Sequence, residues 1–182
     1  TDNPRHAERM ARTLDRLNTR RQQMEAGIVE QIQHRIQSQP DLLDRQALIM
    51  AEKSWHEGVL GIVAARLARQ HARPVILLAR NGSQVRGSAR SVPGIDLYRL
   101  LASCETCLDH FGGHAMAAGL TLSVDRLADF EKQYIAHVIK LMHTYGKPIY
   151  GKSLLTDQED QTVGQPDRQT DPAHRRPLGE SS

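Results

Sequence analysis

Aromatic side chains are scarce in this chain: one Trp, four Tyr and two Phe, 4% of its 182 residues. With a hydrophobic share of 39%, any core must therefore be aliphatic and alanine-rich. Cysteine is nearly missing as well. Cys104 and Cys107 are the only two, which argues against a disulfide scaffold and suits a reducing compartment. No apolar run approaches the ~18 residues a membrane span needs, and no charged-then-apolar signal opens the chain. The expected location is the cytoplasm, with no membrane partner. A strong excess of charge is also lacking, since the formal net charge is only +3. It is unevenly spread, however. Residues 151–182 carry Lys152, Arg168, Arg175 and Arg176 against Asp157, Glu159, Asp160, Asp167, Asp171 and Glu180. That leaves +5 on the first 150 residues, a mild basic bias compatible with a phosphate-bearing partner.

What is present begins with a helix. Asp2-Asn3-Pro4 is a helix-start signal, and Ala7, Met10, Leu14, Leu17, Met24, Ile28, Ile32 and Ile36 recur at three- and four-residue spacing to about Ser38. The apolar stripe is narrow, so a connector between two bodies is expected, with a coiled-coil dimer as the rival. The chain starts inside helical sequence and reads as a piece of something longer. Pro40 ends the helix. "ALIMA" (47–51) and "PVILLAR" (74–80) read as buried strands, and "EGVLGIVAARLARQ" (57–70) between them as a helix. Its Gly58, Gly61, Ala64 and Ala65 form a side-chain-poor face suited to close packing, in a parallel strand–helix–strand unit. Asn81-Gly82 predicts a hairpin into "QVRGSARS" (84–91). Asp96 caps a helix to about Cys104, a strand follows over Ala117 to Ser123, and Asp125 caps a last helix. The polar stretch after Gly146 holds too little apolar surface to offset its ordering entropy and is expected to be disordered.

Three stretches bear chemistry. In "VRGSARS", alternation puts Arg86, Ser88 and Arg90 on one face of a strand and Gly87, Ala89 and Ser91 on the other. Arg and Ser suit phosphate oxygens, and a strand glycine marks close approach by ligand or backbone; a solvated strand face is the plain alternative. In "HFGGHAMAAGL" (110–120), Gly112 and Gly113 could present consecutive N–H groups as an anion-binding nest, with His114 as a further donor. The alternative is a glycine turn whose histidine is satisfied by a backbone carbonyl. Cys104, Cys107, His110 and His114 superficially resemble a zinc set. Zinc frameworks separate their ligand pairs by a longer loop, so buried reduced cysteines are expected instead. His56 and Glu57 look like an acid–base pair but fit a helix start, where Glu57 complements the dipole.

"WHEGVLGIVAARLARQHARPVILLA", "VRGSARSV" and "HFGGHAMAAGLTL", in this order, resemble the DHH-associated domain of the RecJ family, bacterial single-strand-specific 5′-to-3′ DNA exonucleases. The likeness covers about Asp41 to Val138, and the long helix resembles the connector between the two RecJ lobes. Trp55-His56 favours the exonucleases over smaller oligonucleotide and cyclic-dinucleotide phosphodiesterases, which remain the alternative together with a binding module lacking hydrolysis. The resemblance implies an α/β fold: a small mixed β-sheet flanked by helices, after a long connector helix and before a disordered tail. The expected division is a connector over 1–39, a substrate-binding domain over 40–146 and a tail over 147–182. It implies that Arg90, Ser91, Gly112, Gly113 and His114 hold substrate phosphate, supported by Arg86, Gly87 and Ser88. It implies single-stranded DNA as partner, in DNA repair and recombination. Mn²⁺ or Mg²⁺ would be bound by an N-terminal DHH lobe, and no metal by this chain. No Asp-His-His triplet occurs, and Asp109-His110 is the nearest approach, so this chain alone is expected to be inactive.

Overall fold

A computed structural model describes residues 4–145. The expected capping by Asp2 and Asn3 and the expected disordered tail over 147–182 lie outside those residues. Helix α1 (Pro4–Ser38) is 35 residues long, about 52 Å at 1.5 Å per residue. Met10, Leu14 and Leu17 on its first half are exposed, whereas Ile28, Val29 and Ile32 are buried in the core. Gln31 accepts a hydrogen bond from Trp55 Nε1 at 2.8 Å, which ties the helix to the body.

The sheet has five strands: β1 (Leu48–Glu52), β2 (Val75–Asn81), β3 (Gln84–Arg90), β4 (His110–His114) and β5 (Ala117–Ser123). Their order is β1-β2-β3-β5-β4. β1 and β2 are parallel, with helix α2 (Glu57–His71) as crossover, and every other pairing is antiparallel. The predicted hairpin between β2 and β3 turns at Gly82, whose φ of +59° explains the glycine. Helices α3 (Leu97–Ala102) and α4 (Leu127–Tyr145) complete the fold. Among the described residues no helix is long and apolar enough to cross a membrane.

Paired strand residues share a face, so alternation sorts the sheet into two sides. One side of β2 and β3 meets α2. The expected side-chain-poor face of α2 is in use there: a Cβ on Gly61 would sit 2.6 Å from Arg90 Nη2 and 3.4 Å from Ser88 Oγ. His56 is the N-cap of α2, its Nδ1 accepting from the Gly58 N–H at 3.1 Å, and Glu57 is in the first turn. The other side carries Val85, Ala89, Ala118, Leu120 and Leu122, all buried. In the same core lie Leu97, Leu100 and Leu101 of α3 and Phe130, Tyr134 and Val138 of α4.

Cys104 and Cys107, just after α3, are free and buried in that core. Burial pushes the Cys104 thiol up to about 11, with Cys107 adding to the rise and the Ser103 hydrogen bond opposing it. The raised value means that the protonated thiol stabilises the fold below pH about 9, a contribution lost as the pH climbs through about 11. A thiol–disulfide reagent at pH 8 is accordingly expected to modify Cys104 only as fast as the protein opens. Rapid modification without denaturant would show an accessible thiolate.

One expectation is corrected. Gly112-Gly113-His114 is no turn or nest ahead of a strand; it is the end of β4, an edge strand paired with β5 as Gly112↔Gly119, Gly113↔Ala118 and His114↔Ala117. The turn comes after it, at Ala115 and Met116. Neither residue adopts positive φ, so the tight turn geometry that usually closes a two-residue hairpin is not used. The carbonyls of Met116 and Ala115 instead accept from the N–H groups of Ser91 (3.0 Å) and Leu97 (2.9 Å), which fix the turn from outside.

Candidate nucleic-acid interface

The register across β3, β5 and β4 assembles three rows on the α2 side of the sheet. The first is Arg86, Thr121 and His110. The second is Ser88, Gly119 and Gly112. The third is Arg90, Ala117 and His114. Because α2 lies over β2 and β3, no helix among the described residues covers the outer two strands on this side, and His110, Gly112, His114 and Gly119 are all exposed. The result is a trough with a glycine floor, open toward the sheet edge. A Cβ at Gly112 would meet nothing within 4 Å, and one at Gly119 only Gly87 O at 3.8 Å. A cleft of about 430 Å³ lies over its first two rows, lined by Arg86, Ser88, His110, Gly112, Thr121 and Glu57, among others.

Its charge is unspent. Neither Arg86 nor Arg90 has an ion-pair partner among the described residues. Arg90 is half-buried under α2, donates to Ala89 O at 2.9 Å, and has its pKa lowered by that burial. The guanidinium stays charged all the same, since its ordinary value is far above neutrality. His114 Nδ1 accepts from the Met116 N–H at 3.3 Å, so the neutral ring carries its proton on Nε2. Alternate N–H groups of an edge strand such as β4 point away from its neighbour, adding backbone donors at the rim.

The structure thus brings Arg86, Ser88, Arg90, Gly112 and His114 to one face. The other three expected residues are placed differently. Ser91 is past the end of β3 and buried, its hydroxyl donating to Ile95 O at 2.8 Å. Gly87 lines the cleft, but a Cβ on it would point away from it and lie 2.0 Å from Leu77 O. Gly113 is exposed but alternates away from Gly112, with φ +144° and β5 backbone, Ala117 O, only 2.3 Å from a Cβ. Three contributors were not expected: Thr121, Gly119 and Gly61 of α2. The sequence suggests His110 only as a metal ligand. The signal for it was present, because His110, Gly112 and His114 alternate with Phe111 and Gly113.

The zinc-like set does not converge. Cys104 and Cys107 are in the core while His110 and His114 are exposed, and no three metal-ligating side chains come together among the described residues. Asp109 is occupied by an ion pair with Arg126.

The sequence pattern of the DHHA1 domain family matches residues 44–153. The single-stranded-DNA-specific exonuclease RecJ of Bacillus subtilis is 37% identical over 129 residues, 70% of this chain and 16% of that protein. The Escherichia coli RecJ is 36% identical over 141 residues, 73% of this chain and 24% of its own length. A crystal structure of Thermus thermophilus RecJ with Mg²⁺ superposes with a TM-score of 0.67 at 27% identity, covering 84% of this chain and 22% of that one. The same protein with Mn²⁺ gives 0.66 at 30% identity, covering 77% of this chain and 20% of that one. This chain therefore spans less than a quarter of the length of these relatives.

Proposed function

We infer from one premise, that this chain belongs to the DHHA1 domain family, that it is the substrate-binding lobe of a RecJ-like 5′-to-3′ single-strand DNA exonuclease. In this reading the glycine-floored trough holds backbone phosphates of the strand, facing a DHH lobe that binds the divalent metal. The observation that carries it is the trough itself: arginines on β3 and histidines on β4 flank a floor with glycine at its centre, and neither Arg86 nor Arg90 has an ion pair among the described residues. Arg90 supplies a fixed positive charge, Ser88 a hydroxyl, His114 the Nε2–H, and Gly112 the room for close approach. The divalent metals of the RecJ structures find no fitting ligand group among the described residues, so no hydrolytic step is assigned to these side chains. Their role is electrostatic: holding the strand in place and offsetting charge on a nonbridging oxygen. We place this work in the cytoplasm, in DNA repair and recombination.

The test is binding of a single-stranded oligodeoxythymidylate at several salt concentrations. Arg90→Ala is expected to weaken binding about tenfold, as loss of a charge-assisted contact does, and to reduce the log–log salt slope by about 0.7. His114→Ala should weaken it without changing the melting temperature. Gly61→Ala should leave the fold intact, since alanine favours a helix by about 1 kcal/mol, yet weaken binding by displacing the Arg90 guanidinium. Unchanged affinity and slope in all three would mean that this face does not bind nucleic acid.

A further inference from the structure

The two ends of the trough repeat each other. Each end row has an arginine on β3 and, one strand beyond β5, a histidine on β4: Arg86 with His110, and Arg90 with His114. The rows are four residues apart along β3, roughly 13 Å at strand rise, farther than the oxygens of one phosphate reach. Between them lies only the floor of Gly119 and Gly112, with Ser88 at its margin. The cleft's lining includes Arg86 and His110 of one end row, where Thr121 adds a hydroxyl on the middle strand. Arg86 is exposed and has no ion pair among the described residues, and Glu57 lines the same cleft. A carboxylate there disfavours a doubly charged terminal phosphate and tolerates a singly charged internal diester.

We propose that Arg86, Thr121 and His110 form a second phosphate position, which takes an internal phosphodiester of the same strand whose other phosphate sits at Arg90 and His114. The inference rests on the reading of the trough as a strand-binding face and adds what that reading leaves open: where a second phosphate of the strand sits, so that the strand is gripped at two phosphates along the direction of β5. His110 is thereby a binding residue of this position rather than a bystander of the edge strand.

The probe is a thymidine hexanucleotide in which one linkage at a time is replaced by a neutral methylphosphonate, titrated against the full chain and its variants. Arg86→Ala and His110→Ala are each expected to weaken the unmodified hexanucleotide, Arg86→Ala about tenfold, with unchanged melting temperatures. The Arg86→Ala loss should vanish when one particular linkage is already neutral, and the Arg90→Ala loss when a different linkage is. If both arginines couple to the same linkage, or if Arg86→Ala and His110→Ala cost nothing while Arg90→Ala still weakens binding, the second position is wrong and the strand-binding reading stands. If Arg90→Ala also costs nothing, that reading itself fails.

Discussion

Gly87→Ala should cost about 3 kcal/mol or more, the largest loss expected of any single methyl added to this sheet. The added Cβ would stand 2.0 Å from Leu77 O and 2.7 Å from Leu78 Cδ2. A side chain can swing away, but Leu77 O belongs to the β2–β3 ladder and retreats only by opening it. Gly119→Ala, across the β3–β5 pairing, is the control: its nearest neighbour is Gly87 O at 3.8 Å, so its stability should stay within about 1 kcal/mol. Urea denaturation of the two variants measures the contrast, and equal midpoints would refute it. The glycine of the β3 motif is therefore explained by close backbone approach, one of the two meanings its sequence position allowed.

Gly113→Ala should be the second most damaging, at roughly 3 kcal/mol, while Gly112→Ala beside it should be nearly neutral for folding. Gly113 has φ +144°, and its Cβ would press to 2.3 Å from Ala117 O and 2.5 Å from Ala118 Cα. Both are backbone atoms of β5. Gly112 faces open space. Thermal melts of the two variants separate them, and similar melting temperatures would show that the β4–β5 pairing is looser than described. Strand binding then reverses the ranking. Gly112→Ala keeps its fold but puts a methyl on the floor of the trough, so it should lose affinity for single-stranded DNA. The two adjacent glycines thus do different work, one for the hairpin and one for the ligand, and only the second is a clean probe of binding.

Much of this was legible locally. Arg86, Ser88 and Arg90 announce their shared face because charged and small residues alternate with Val85, Gly87 and Ala89. Gly61 in α2 predicts close helix–sheet packing, and the structure shows Arg90 filling that space. β5 has an apolar alternation of its own, Ala118, Leu120 and Leu122, and was read with the observed bounds. β4 was not readable in this way. Its inward positions are Phe111 and Gly113, so one glycine removes half the apolar signal, and glycine disfavours strands in general. Its turn is set by Ser91 and Leu97 N–H groups from a distant loop, a tertiary cause that no window around residues 110–120 contains. Ser91 was misplaced for a related reason: alternation continued one residue too far, past the end of β3 at Arg90, into the turn closed by Ile95 O.

The trough's chemistry depends most on the strand that contributes least of it. β5 carries no charged residue, yet both β3 and β4 take their register from it. It acts as a reading frame. Deleting Ala118 would turn Leu120 and Leu122 outward onto the floor and carry Gly119 and Thr121 into the core. Arg86, Arg90, His110 and His114 would all survive in the sequence and no longer face one another across a common surface. A residue inserted at the Gly82 turn, outside every strand, would leave that frame intact.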